Sequence, residues 1–136
     1  MSRMIFVNLP VRNLEASKAF YEALGFRINP QFTDETAACV VISETIHVML
    51  LTHDKMRQFT TKDIADATKT TEVLVALSAE TRDEVDSLVG EAVKAGGQVV
   101  REPNDYGFMY QHAFEDPDGH IWEIVWMDPN ALATHA

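Results

Sequence analysis

The segment Asp116-Pro117-Asp118-Gly119-His120-Ile121-Trp122-Glu123-Ile124-Val125-Trp126 joins a turn to an apolar strand, and it decides the fold prediction. Residues 116–119 predict a tight turn, because proline fixes φ, glycine adopts positive φ and aspartate bonds its own backbone. Glu123 is the one charged residue in the strand that follows. A carboxylate is costly to bury unless it has a partner or a function. Glu123 is therefore the first candidate site residue.

The first half of the chain predicts one helix and four extended segments. Asn13 is a plausible cap for the helix, Gly25 ends it, and Pro10 ends the first strand. A hairpin closes this half. The predicted order is strand 4–9, helix 14–24, edge segment 26–32, strand 36–43 and strand 46–52.

The second half repeats this order. An amphipathic helix follows Thr81 and stops at Gly96-Gly97. The strands are predicted at 72–78, 98–101, 108–115 and in the closing segment that contains Glu123. Each half is therefore a βαβββ module, and an internal repeat of this length is a strong indication of architecture.

The sequence predicts a single α+β domain over residues 1–136, built from two βαβββ modules. The modules span 4–52 and 71–128, as paired ferredoxin-like halves whose curved sheet surrounds a cleft. Residues 53–70 are polar and predict a helical linker or a lid, with a possible helix cap at Thr60. Alternation in the closing strand places Glu123 toward the cleft if its aromatic neighbours pack under a helix.

Composition excludes several classes of protein. The 136 residues include 21 acidic and 11 basic side chains, a net charge of −10, which disfavours nucleic-acid or anionic-membrane partners. No apolar run is long enough to span a bilayer, and no signal peptide is evident. Cys39 is the single cysteine, so an intrachain disulfide is impossible. We expect a cytoplasmic protein.

The repeated module, the segment 13–26 (Asn-Leu-Glu-Ala-Ser-Lys-Ala-Phe-Tyr-Glu-Ala-Leu-Gly-Phe) and the segment 116–123 together resemble the vicinal oxygen chelate superfamily. That superfamily includes glyoxalase I, extradiol dioxygenases and bleomycin-resistance proteins. The chain looks closest to small bacterial proteins described as predicted lactoylglutathione lyases. The resemblance implies a small-molecule ligand and a homodimer.

The resemblance also implies four metal-ligand positions, which fall on Phe6, Leu50, Leu74 and Glu123. Phenylalanine and leucine cannot ligate a metal, and a divalent ion normally needs three or more protein donors. Asn8 lies two positions from Phe6 and His47 three positions from Leu50, although a one-residue slip reverses the face of a strand. The sequence therefore makes the usual metal site doubtful and leaves the cofactor unknown.

Glu123 and His47 are the candidate catalytic residues. Glu123 fits a base in an apolar cleft, or a carboxylate paired with Arg101, His47 or a tyrosine. His47 interrupts an apolar strand and fits either an acid–base residue or a histidine bonded to backbone.

Five further residues are candidate ligand contacts, each with a structural alternative. Asn8 could hold a turn instead, Glu72 could be a charge at the rim, and the aromatic residues could be core. The candidates are Asn8, Glu72, Phe108, Tyr110 and His112.

Two functions follow. The first is a glyoxalase-like lyase or isomerase that acts on a small carbonyl-containing molecule, with Glu123 as its base and without the usual metal site. The second is a non-catalytic protein that sequesters a small aromatic or cationic ligand, as the bleomycin-resistance relatives do.

Overall fold

A computed structural model describes residues 2–131 of the chain. His135, to which the sequence assigns no role, lies outside these residues. The chain divides into two compact units, with the boundary between Asp66 and Ala67. In the described part of the chain, no helix has both the length and the apolar character that crossing a membrane requires.

The first unit is a four-stranded sheet in the order β1-β4-β3-β2, with β1 parallel to β4 and the other pairs antiparallel. The helix α1 packs against β2, β3 and β4. Its elements are β1 (Ile5–Val11), α1 (Leu14–Ala23), β2 (Arg27–Asn29), a 3-10 helix (Pro30–Phe32), β3 (Ala37–Val41), β4 (Ile46–Thr52) and α2 (His53–Met56).

Pro10 lies inside β1 and does not end it, which corrects the prediction. The parallel register continues past Pro10, opposite Leu51, to Val11, opposite Thr52. A proline has no N–H for a sheet ladder, so it is confined to edge strands and bulges. The end position of β1 in the strand order meets that condition.

The helix α1 begins where the sequence predicts. The side-chain oxygen of Asn13 accepts a hydrogen bond from the backbone N–H of Ala16 at 3.0 Å. This bond satisfies one of the free N–H groups of the first turn. Phe20 and Tyr21 are buried on the sheet side of the helix, so the amphipathic pattern is confirmed.

The second unit repeats the first. Its sheet has the order β5-β9-β8-β6, with β5 parallel to β9, and a short β7 also pairs with β8. The elements are β5 (Val75–Ala79), α3 (Arg82–Lys94), β6 (Gln98–Val99), β7 (Asn104–Asp105), β8 (Met109–Glu115) and β9 (Ile121–Met127). The α+β class with two βαβββ units is confirmed.

The turn at 116–119 is built as its residues predict, and it also holds a neighbouring segment. Asp116 is buried, and its Oδ1 accepts hydrogen bonds from the N–H groups of Asp118 and His120, each at 2.9 Å. Gly119 has φ +90° and lies directly against the backbone of Ala67 and Thr68. The glycine therefore supplies both the backbone conformation and the close approach.

The segment after β4 is less helical than the sequence indicates. A single helical turn, α2, is capped by Thr52, whose hydroxyl accepts from the Lys55 N–H at 3.2 Å. The predicted cap at Thr60 is wrong, because its hydroxyl bonds the N–H of Lys62 at 3.1 Å and no helical backbone follows. Threonine forms such turns as readily as it forms caps.

Gly90→Ala is expected to stabilise the second unit by about 1 kcal/mol, because glycine is a poor helix former. Gly90 lies inside α3, and a Cβ built there meets no atom within 4 Å. Urea unfolding checks the result. A loss of stability would contradict both the helical assignment and the open surroundings of Gly90.

Candidate functional site

Glu123 is paired with Arg101. Glu123 lies in the middle of β9, and Arg101 follows β6. The Nη2 group of Arg101 donates to Oε1 of Glu123 at 3.0 Å and to Oε2 at 2.8 Å. The side chains are 33% and 14% exposed for Arg101 and Glu123 respectively. The sequence left open whether Glu123 is a base in an apolar cleft or a carboxylate paired with Arg101, His47 or a tyrosine. In the structure its partner is Arg101.

Glu123 lies on the face of the sheet opposite α3. Trp122 and Ile124 alternate with Glu123 and are buried, and α3 packs against β8 and β9. The strand register places Ala76 of β5 and Ala113 of β8 beside Glu123. The ion pair is therefore flanked by two small methyl side chains.

One end of the Arg101 guanidinium has no acceptor. Its Nη1 atom is buried and makes no hydrogen bond to any of residues 2–131. A guanidinium carries five N–H donors, and buried donors are nearly always paired. This unpaired nitrogen marks a position at which an acceptor would be favourable.

His47 and Phe6 form a second candidate group, in the first unit. They are neighbours on β4 and β1, and their rings stack with centroids 4.6 Å apart and planes 14° apart. His47 is 7% exposed, and its Nδ1 is buried without a partner in the described part of the chain. Asn8 shares this face, is exposed, and donates to the Phe6 carbonyl at 3.2 Å.

Tyr110 and His112 lie on the face of β8 that carries α3. The Tyr110 hydroxyl donates to Asp86 of α3 at 2.6 Å, which is the main reason that its pKa is raised to about 12. His112 Nε2 lies 3.2 Å from the Arg101 carbonyl oxygen. Because side chains alternate along a strand, a ligand on the Glu123 face would not contact either ring.

Phe108 and Glu72 lie outside the strands. Phe108 precedes β8 and is exposed. Glu72 is also exposed, because β5 begins at Val75 and the predicted strand at 72–78 starts three residues too early. The sheet therefore does not orient Glu72 toward either face.

Arg82 is a residue that the sequence analysis missed. Its guanidinium donates to both carboxylate oxygens of Asp105, at 2.8 and 2.9 Å, and to the Gly107 carbonyl at 2.9 Å. It also lies 5.2 Å and 5.0 Å from the ring centroids of Tyr110 and Trp126. The hydrogen bonds from Arg82 lower the pKa of Asp105 to about 2. These contacts fix the loop around β7 to the start of α3.

Comparison with known proteins identifies the family. A family model described as "Glyoxalase/Bleomycin resistance protein/Dioxygenase superfamily" matches residues 3–124. The chain belongs to this superfamily. The resemblance inferred from the sequence is thereby confirmed, while the narrower likeness to lactoylglutathione lyases stays a prediction.

Solved structures similar to this chain match nearly its whole length. The hypothetical protein SA1046 from S. aureus is 34% identical, with a TM-score of 0.77, and the match covers 93% of this chain and 95% of that one. A superfamily enzyme from Burkholderia phytofirmans PsJN is 20% identical (TM-score 0.75, covering 93% and 99%). The fosfomycin resistance protein FosX from Mesorhizobium loti is 17% identical (TM-score 0.66, covering 98% and 96%). The last two show the shared fold alone. No curated protein matches the chain.

The four superfamily metal positions do not fit a metal in this chain. Phe6 and Leu74 have no donor atoms, and Leu74 lies before β5. Both oxygens of Glu123 already accept from Arg101. Within either unit, no three histidine, cysteine, aspartate or glutamate side chains among residues 2–131 are grouped to hold an ion.

The position inferred at Leu50 is on the wrong face. The register pairs Phe6 with His47 and Leu9 with Leu50, so Leu50 points away from the Phe6 side. His47 is the residue of β4 that lies beside Phe6 on the same face. His47 alone still supplies too few donors for a divalent ion.

Proposed function

We propose that the chain is a small-molecule-binding protein that holds its ligand without changing it chemically. The observation that supports this proposal is the pair of hydrogen bonds from Arg101 to Glu123. A general base must accept a proton from the substrate, so it needs an oxygen within reach of that proton. Here a substrate proton would compete with a guanidinium for both oxygens of the carboxylate.

A metal-assisted route to superfamily chemistry is not supported by the donor set. A metal would polarise a substrate carbonyl as a Lewis acid. Phe6 and Leu74 cannot hold such an ion. A relative that has lost these donors and has neutralised its carboxylate retains the means to bind a ligand but not the superfamily's means to activate one.

The uneven distribution of charged residues along the chain favours some classes of ligand over others. Residues 67–136 contain thirteen acidic and four basic side chains, whereas residues 1–66 contain eight and seven. The unit that carries Glu123 therefore holds most of the net negative charge. Its field favours neutral or cationic ligands over anionic ones.

A glyoxalase-like lyase or isomerase, acting on a small carbonyl-containing molecule, is the second candidate. The observation that favours it is the buried, unpartnered Nδ1 of His47 within the described residues. An imidazole can exchange a proton near neutral pH. In this case His47, and not Glu123, would move the proton.

Native mass spectrometry of the purified protein tests the proposal. We expect a co-purifying small molecule that is released on denaturation and recovered, after prolonged incubation with fresh protein, with unchanged mass and an unchanged NMR spectrum, because an isomerase would alter only the spectrum. Conversion of that molecule would overturn the proposal in favour of the enzyme. His47→Gln should then abolish the conversion, while His53→Gln, at the start of α2, serves as the matched control.

A further inference from the structure

We infer that the Arg101 guanidinium binds the carbonyl oxygen of the ligand. One end of the guanidinium neutralises Glu123, and the other end, Nη1, donates to the ligand. The inference rests on the proposed function and names its ligand class, a neutral compound with an accessible carbonyl oxygen.

The first step is that the two terminal nitrogens of the guanidinium differ in their hydrogen bonding. Nη2 serves both oxygens of Glu123, at 3.0 and 2.8 Å, so this single nitrogen satisfies the carboxylate. Nη1 is buried and has no acceptor anywhere in residues 2–131. Buried N–H groups are rarely left unpaired, and a ligand oxygen is the acceptor that a binding site would supply.

The second step is the position of the pair. Glu123 projects from the centre of β9, with Ala76 and Ala113 beside it on the neighbouring strands. The two hydrogen bonds from Nη2 to Glu123 place the Arg101 guanidinium on this face of the sheet. The guanidinium is therefore held beside the retained superfamily carboxylate, which has a small side chain on each neighbouring strand.

The third step is the charge of the ligand. Arg101 and Glu123 together carry no net charge, and the unit around them is strongly acidic. An anionic carboxylate or phosphate would be repelled by that field, whereas a neutral carbonyl oxygen would not. A guanidinium binds a neutral carbonyl oxygen through hydrogen bonds alone, so this contact needs no metal ion.

Cyclohexanone is the probe for this inference, and cyclohexanecarboxylate is its anionic counterpart. Each is titrated into ¹⁵N-labelled protein, and the readouts are the Arg101 Nε–H signal and the backbone amides of Ala76 and Ala113. We expect saturable shifts at all three with cyclohexanone and weaker binding of cyclohexanecarboxylate, because the acidic unit repels an anion.

Variants at Arg101 decide the outcome. Arg101→Met should weaken cyclohexanone binding at least about tenfold, and Arg101→Lys should restore part of it. Because Arg101→Met leaves Glu123 unpaired, the folded double variant Arg101→Met/Glu123→Gln is measured as well and should bind equally poorly. Unchanged binding in both variants, or shifts that avoid the three signals, would overturn the inference.

The two proposals fail separately. If cyclohexanone does not bind at Arg101 while an unchanged ligand still co-purifies, the inference is wrong and the proposed function stands. If the co-purified molecule is converted, the proposed function is wrong, whatever the cyclohexanone titration shows.

Discussion

Replacement of Gly119 by alanine is expected to destabilise the second unit by about 3 kcal/mol, from positive-φ strain together with overpacking. Gly119 has φ +90°, which L side chains rarely adopt. A Cβ there would lie 2.7 Å from the carbonyl carbon and oxygen of Ala67 and 2.7 Å from the Thr68 nitrogen. These are backbone atoms, which cannot rotate aside as a side chain can. Urea unfolding, followed by tryptophan fluorescence, measures the loss.

Gly107→Ala is the matched control. Gly107 also has positive φ, +82°, but a Cβ built there meets nothing within 4 Å. It should therefore lose only about 1 kcal/mol, the cost of placing alanine in that backbone conformation. Equal losses at the two positions would show that the turn does not approach the 67–68 segment as closely as described.

Arg101→Met is expected to cost about 2 to 3 kcal/mol, because it leaves a largely buried carboxylate without its counter-charge. Glu123 is 14% exposed and accepts both of its Arg101 hydrogen bonds from the same nitrogen. Adding Glu123→Leu should return the stability to within about 1 kcal/mol of the original chain, since an apolar pair can replace a buried ion pair. Urea unfolding at pH 7 of the four proteins gives the coupling energy.

Lys94→Met provides the control for this cycle. Lys94 pairs with Glu91 at 3.5 Å on the exposed side of α3. Exposed ion pairs contribute little, so the change should stay within about 0.5 kcal/mol. If Arg101→Met is no more destabilising than Lys94→Met, the Arg101–Glu123 pair is not held as the structure describes.

Local sequence patterns were sufficient to predict the repeated fold. The helix cap at Asn13 and the turn at 116–119 depend on neighbouring residues, and both are confirmed. Alternation from Trp122 and Ile124 also placed Glu123 correctly, on the face opposite α3. Such features are set within a few residues, so the sequence contains them directly.

Register between distant strands could not be predicted in the same way. The inference at Leu50 was wrong because the β1–β4 pairing, which fixes which residue lies beside Phe6, joins strands about forty residues apart in the sequence. Pro10 was predicted to end β1 for a similar reason. A strand accepts a proline when it lies at the edge of a sheet, and no local sequence pattern shows that β1 is an edge strand.

The sequence also did not predict side-chain pairs between residues that are distant along the chain. Arg101 was named only as one of several possible partners for Glu123, 22 residues away, and Arg82 was not linked to Asp105, 23 residues away. Both arginines look like ordinary surface residues in the sequence. One feature of the sequence did point to these ion pairs. The second half contains few basic residues among many acidic ones, so each basic residue has several possible carboxylate partners.

Metal content is the measurement that tests the assignment of Glu123 most directly. Elemental analysis of the purified chain should show no stoichiometric metal. In calorimetric titrations with nickel and zinc chloride, the original chain and Glu123→Gln should give the same heat of binding. Near-stoichiometric nickel, zinc or iron that is lost in Glu123→Gln would contradict the assignment. Glu123 would then be a metal ligand, and Arg101 would be a partner that the ion displaces.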